Sequence, residues 1–190
     1  MLQRRIEAKE LRLDSRELSC RLMSDGQFDV YSHPGYERLI SVATPMYIAY
    51  RAPIKRADGG IYIGEIFTDS RAFLKVAEDA EECFLLVCTL GLGVDHLISR
   101  ESHISVSQAF ITDAVADAMV EALCDAAENE ICQGLTTCPR FSPGYSDLPL
   151  SIGKEIVKLV GADKRLGIRF TESEMMIPRK SVSAIICIKH

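Results

Sequence analysis

Apolar residues recur in adjacent pairs at every fourth position between Ser105 and Cys132: Phe110-Ile111, Ala114-Val115, Ala118-Met119, Ala122-Leu123, then Ala126. That spacing lays a wide apolar stripe along one face and predicts a long helix over about 105–132. Cys83 to Thr89 is instead a continuous apolar run, which fits a strand buried on both faces. It ends in Gly91-Leu92-Gly93. Strand, G-x-G, helix is the outline of a dinucleotide loop, but His96 stands where the third glycine belongs and no clean βαβ unit follows. A tight turn needing glycine dihedrals is the better reading.

The remaining elements follow from weaker patterns. Residues 4–24 show mixed charge with scattered apolar positions (Ile6, Leu11, Leu13, Leu18, Leu22), which suggests a helix stopped at Ser24-Asp25-Gly26. Leu39 to Tyr50 is apolar and β-branched enough for a strand, and Ile61 to Phe67 reads as another. The two are separated by Asp58-Gly59-Gly60. Asp69-Ser70 can cap a helix over Arg71 to Ala80. After a turn-rich loop from Thr136 to Pro149, Ser151 to Val160 reads as a short helix that Gly161 can end. Gly167 to Met176 and Ser181 to Ile188 read as two strands joined at Pro178-Arg179-Lys180 and paired antiparallel. The order is mixed, so an α+β fold is expected in place of a doubly wound sheet.

The chain has 190 residues, 47% hydrophobic and 26% charged, which is ordinary for one globular domain with a sizeable core. Without tryptophan, that core rests on Leu, Ile, Val, Ala and Met. A net charge of −5 and only short, interrupted basic stretches argue against a phosphate-backbone grip, so no nucleic-acid partner is expected. Seven scattered cysteines without a C-x-x-C pair read as reduced intracellular thiols, and the four histidines are isolated, so no metal site is expected. The charged N-terminus does not read as a signal peptide. No run reaches the ~20 apolar residues of a membrane span. A cytoplasmic protein with no membrane partner is the expectation.

Two features could carry chemistry. Asp113, Asp117, Glu121 and Asp125 stack at intervals of four along the long helix, Glu128 and Glu130 extend the acidity, and no Lys or Arg occurs from Ser105 to Cys132. Like charges at i, i+4 cost roughly 0.2–0.5 kcal/mol per pair. The face is therefore either simply solvated or opposed by a cation, from elsewhere in the chain or from a ligand. The second feature is the loop Arg140 to Pro149. Arg140 can fork onto a carboxylate, Gly144 permits close backbone approach, and Tyr145 offers a flat face and a hydroxyl. A planar, charged small ligand would suit that set; a rigid surface turn with a structural arginine would also produce it. Nucleophilic catalysis has no signature here: there is no G-x-S-x-G, and no Cys is visibly paired with His and an acid.

Arg140-x-x-x-Gly144-Tyr145-x-x-x-Pro149 resembles the R-x-x-x-G-Y signature of the activation (reactivation) domain of cobalamin-dependent methionine synthase. Thr89 to Asp95, the helix from Asp113 to Asp125, and Thr171-Glu172-Ser173 through Pro178 to Ser183 fall in the family's order and spacing. Residues 83–188 are covered, while 1–80 are not matched. The resemblance is closest to the free-standing form. It departs at Ser146, where fused domains usually carry proline, and at Leu150, where they carry an acid.

The resemblance implies one C-shaped α+β domain over residues 1–190, with a twisted antiparallel sheet flanked by helices. It implies an accessory activation subunit that binds S-adenosylmethionine and presents its methyl group for reductive remethylation of cob(II)alamin. The cobalamin would be carried by a partner, a corrinoid-binding methionine synthase, and the electron would come from a flavodoxin-type donor. Arg140 would pair with the ligand carboxylate, Pro143, Gly144 and Tyr145 would hold the adenosyl end, and Asp117 would face the cationic end. No residue of this chain would be catalytic by itself. The alternative is the same fold kept as a binding or scaffold module that has lost S-adenosylmethionine.

Overall fold

A computed structural model of the protein describes residues 1–15, 18–19, 22 and 29–189. Its centre is a six-stranded antiparallel sheet. The strands are β1 (Leu2–Arg5), β2 (Met46–Ala57), β3 (Gly60–Ile63), β4 (Ile66–Thr68), β5 (Ala80–Thr89) and β8 (Ser181–Lys189). They run in the order β4-β3-β2-β5-β8, with β1 also on β2. The long β2 serves two partners on one side: Met46 to Ala49 pair with β1, and Ile54 to Ala57 pair with β3. A separate two-stranded hairpin joins β6 (Arg169–Phe170) to β7 (Met176–Ile177).

The continuous apolar run of β5 has the expected cause. Leu86 and Cys88 point into one core, whereas Cys83, Leu85 and Val87 point into the other. Side chains alternate across a strand, so a strand with apolar packing on both faces has no polar positions to spare. On the first face lie α1 (Pro34–Val42), α3 (Leu92–Ser102) and α4 (Val106–Ile131), which supply Tyr36, Leu39, Val94, Leu97, Val115, Met119 and Leu123. On the second lie α2 (Arg71–Val76), α5 (Ser151–Leu159) and α6 (Ala162–Arg165), with Phe73, Ile152, Ile156 and Ala162 buried. The outcome is the expected α+β arrangement of antiparallel sheet and flanking helices.

Several local expectations are corrected. The helix expected over 4–24 begins instead as β1, because residues 2–5 find an open edge on β2; its expected stop at 24–26 lies outside the described residues. The strand expected over Leu39 to Tyr50 is the end of α1 followed by the start of β2. Pro34 at the first turn and His33, whose Nδ1 accepts from Gly35 N at 3.1 Å, nucleate that helix. The segment 61–67 is two strands bent at Gly64, and the helix from Arg71 stops at Val76, since Ala80 already belongs to β5. The strand expected over 167–176 does not pair with 181–188. It folds on itself as β6-β7, and β8 pairs with β5.

Candidate functional site

The acidic face of α4 is opposed by cations from within the chain. Lys180, buried to 6% exposure, places Nζ 2.6 Å from Asp117 Oδ1 and 2.9 Å from Asp113 Oδ1, the latter as an ion pair without hydrogen-bond geometry. Arg140 donates through Nη1 to Asp125 at 2.7 Å and Glu128 at 2.8 Å, and through Nη2 to Glu121 at 3.2 Å. Glu130 accepts from the Tyr47 hydroxyl and from Arg4 Nε, at 2.7 and 3.0 Å. Of the two readings open in the sequence, the solvated face gives way to the cationic neighbour.

Burial disfavours the charged form of Arg140, but its hydrogen bond to Asp125 and the surrounding negative charges outweigh it, so its pKa stands above the ordinary arginine value. A guanidinium has five N–H donors. The three contacts above engage Nη1 and Nη2, so Nε–H and one Nη2 hydrogen are not used by these carboxylates.

The loop that carries Arg140 is tied to the edge of the sheet. Cys138 N donates to Cys187 O, and Phe141 and Ile185 exchange both backbone hydrogen bonds, each at 2.9 Å. Pro143 has no N–H with which to extend that ladder. The chain turns there: Gly144, at φ 87°, donates to Leu148 O at 2.8 Å. Asp147 holds the far side of the loop by capping α2, accepting from Arg71 N at 2.8 Å, Ala72 N at 3.2 Å and the Ser70 hydroxyl. The Ser70 hydrogen bond, with the two backbone donors, lowers the Asp147 pKa.

Where the loop leaves β8, a cleft of about 260 Å³ opens between α4, the start of α5, the β6-β7 hairpin and the first residues of β8. That volume lies just below the ~300–1,000 Å³ range of small-molecule sites. Pro143, Leu150, Phe170, Met176 and Val182 give it apolar walls. Ser142, Ser181 and Ser183 add hydroxyls, and Glu121 and Glu174 add charge. The turn that leads into its floor is held by Arg179 N, which donates to Asp95 Oδ2 at 2.8 Å.

The structure brings only some of the expected residues to this cleft. Pro143 lines it. Gly144 lies one residue away, packed so closely that an added Cβ would stand 2.7 Å from Leu150 Cδ2. Tyr145 is 68% exposed at the loop tip, its ring edge-on to Phe141 with centroids 5.3 Å apart. Arg140 is set back and reaches the cleft through Glu121, and Asp117 sits on Lys180, next to Ser181 of the floor. Sequence reasoning missed Glu174 and Lys180 and gave Glu121 no part in the ligand site. Glu121 was visible as part of the acidic ladder, but nothing local marks the other two.

Three buried thiols are poor nucleophiles. Burial pushes Cys83 and Cys88 well up and Cys187 up to about 12, so all three are protonated at neutral pH. No cluster of three potential metal ligands occurs among the described residues, and no described helix is long and apolar enough to cross a membrane.

In fold, the chain is like a reactivation domain. Thirteen chains of solved structures match it. One is the crystal structure of the MetH reactivation domain bound to AdoHcy, matched with a TM-score of 0.71 at 18% identity over 98% of this chain and 77% of that one. The family described as "Vitamin B12 dependent methionine synthase, activation domain" matches residues 127–190, the stretch that contains the Arg140 loop, the hairpin and β8. No curated protein matches the chain.

Proposed function

We propose that the cleft between α4 and the Arg140–Pro149 loop binds S-adenosylmethionine, and that the protein presents its methyl group to the cobalamin of a corrinoid-binding methionine synthase. The observation that carries this reading is the cleft itself, whose lining residues, Glu121 apart, lie in the segment that matches the activation-domain family. The fold likeness to a domain bound to AdoHcy, the demethylated form of the same ligand, supports it. The sulfonium methyl is the electrophile, and reduced cobalt on the partner is the nucleophile, with the electron supplied by a flavodoxin-type donor.

This chain's share is positioning. Arg140 is aimed by its three carboxylates and turns its remaining N–H donors to the ligand carboxylate. Pro143 and Gly144 bring backbone close to the adenosyl end, with Tyr145 over it. Asp117 and its neighbours supply a negative field for the cationic end. The protein acts as an accessory subunit, working in the cytoplasm where its partner turns over.

The test mixes the protein, S-adenosylmethionine, a reduced flavodoxin-type donor and a cob(II)alamin-loaded synthase without its own activation domain. Methylcobalamin absorbance should appear only when the protein is present. Equal formation without it overturns the reading.

One observation favours a second reading. Arg140 and Asp117, the two charged residues expected to meet the ligand, are already ion-paired within the chain. A scaffold of the same fold without S-adenosylmethionine would keep those pairs and show no ligand binding at millimolar concentration.

A further inference from the structure

The cleft is charged in one sense only. Among the described residues that line it, Glu121 and Glu174 are ionisable, and no Lys, Arg or His is present. Two cations beside it are already ion-paired: Arg140 to Glu121 of the cleft and to Asp125 and Glu128, and Lys180 to Asp113 and Asp117. Counting these groups, five carboxylates face two cations beside the cleft, and Glu174 adds a sixth with no cation of its own.

Glu174 is held in place by its backbone. It occupies the left-handed region at φ 62°, a conformation that non-glycine residues rarely adopt. Glu174 N donates to Thr171 O at 3.1 Å, Thr171 N to Met175 O at 2.9 Å, and Met175 N to Thr171 Oγ1 at 3.1 Å. These bonds close the turn between β6 and β7 and set the Glu174 side chain at the cleft, half-buried. Its carboxylate has no ion pair or side-chain hydrogen bond among the described residues.

We infer that Glu174, with Glu121, is a specificity-determining residue: it makes the cleft select a cationic sulfonium over the neutral thioether. This rests on the reading of the cleft as a S-adenosylmethionine site. Methyl transfer breaks the S–CH3 bond and leaves its electron pair on sulfur, while the acceptor's electron pair forms the new bond to carbon. The ligand thus loses one positive charge, and with it the attraction of the two carboxylates. The methyl donor is retained, and the spent S-adenosylhomocysteine is released to make room for the next.

Calorimetric titration of the full chain and of Glu174→Gln with S-adenosylmethionine and with S-adenosylhomocysteine, at low salt, tests this. Glutamine keeps the shape and removes the charge. The wild type should bind the sulfonium about fivefold more tightly, the factor that ~1 kcal/mol for unit charges 4 Å apart in water corresponds to. In Glu174→Gln the preference should shrink about twofold, through loss of sulfonium affinity alone, with Glu121 retaining the rest, and salt should erode the wild-type preference. Equal wild-type affinities, or equal loss of both ligands in the variant, overturn the inference while leaving the site intact. Failure of both ligands to bind the wild type overturns the reading on which it rests. Unchanged melting temperature of the variant confirms that the comparison is between folded proteins.

Discussion

Lys180 Nζ donates to Asp117 Oδ1 at 2.6 Å, linking the residue just before β8 to the middle of α4. The contact crosses from sheet to helix beside the cleft and lies next to Ser181 on its floor. Lys180 is also what neutralises Asp113, so one buried ammonium serves two carboxylates that would otherwise repel each other along the helix.

Lys180→Met should therefore destabilise the fold. Removing one member of a buried charge cluster leaves its partners uncompensated; since both carboxylates are about one-third exposed, the loss should be about 1–3 kcal/mol, at the low end of that class. Chemical denaturation reads it directly. A stability within 0.5 kcal/mol of wild type, the ~0.5 kcal/mol scatter of surface substitutions, would mean that the cluster is only peripheral.

Arg140→Ala should weaken S-adenosylmethionine by roughly 1.5–3 kcal/mol, the scale of a hydrogen bond to a charged group. It also leaves Glu121, Asp125 and Glu128 facing one another without their common cation. The variant's stability should consequently rise with added salt more than the wild type's does. Unchanged ligand affinity would remove Arg140 from the site.

Asp117→Asn should weaken ligand binding more than Asp125→Asn does. Asp117 stands next to the cleft floor through Lys180, whereas Asp125 is 65% exposed and tied to Arg140 further along the helix. Equal effects in titrations would indicate a diffuse field from the whole face.

Asp147 makes the loop's anchorage depend on pH. Its folded pKa is lowered, first by the Ser70 hydroxyl and then by backbone N–H donors. A lowered carboxyl pKa contributes stability that is present above the unfolded value and is lost as pH falls through the folded one. The stability difference between wild type and Asp147→Ala should thus be constant at neutral pH and vanish in acid, below the ordinary carboxylate range. Thermal melts of both proteins across that range check it. A difference that persists in strong acid would show that Asp147 contributes by packing and not by charge.

The long helix and the buried strand were legible because periodicity is a local signal that tertiary packing reinforces. Val106–Ile131 and Ala80–Thr89 contain the expected 110–126 stripe and the 83–89 run. Gly161 likewise ends α5 at φ 69°. The strand expected at Leu39 failed because apolar β-branched residues suit a helix end as well as a strand, and the deciding signals were His33 and Pro34 further upstream. Arg140 and the acidic ladder were visible as unusual residues, but their mutual pairing was not, since 12 to 19 positions separate them. Lys180 and Glu174 gain their significance only from the turns that carry them to the cleft.

Calorimetric titration of the purified protein reads whether this chain holds S-adenosylmethionine. Saturable binding with one ligand per chain is expected, weakened in Arg140→Ala and sensitive to salt. No heat of binding at millimolar ligand, with the protein folded and with the corrinoid-loaded synthase also present, would contradict it.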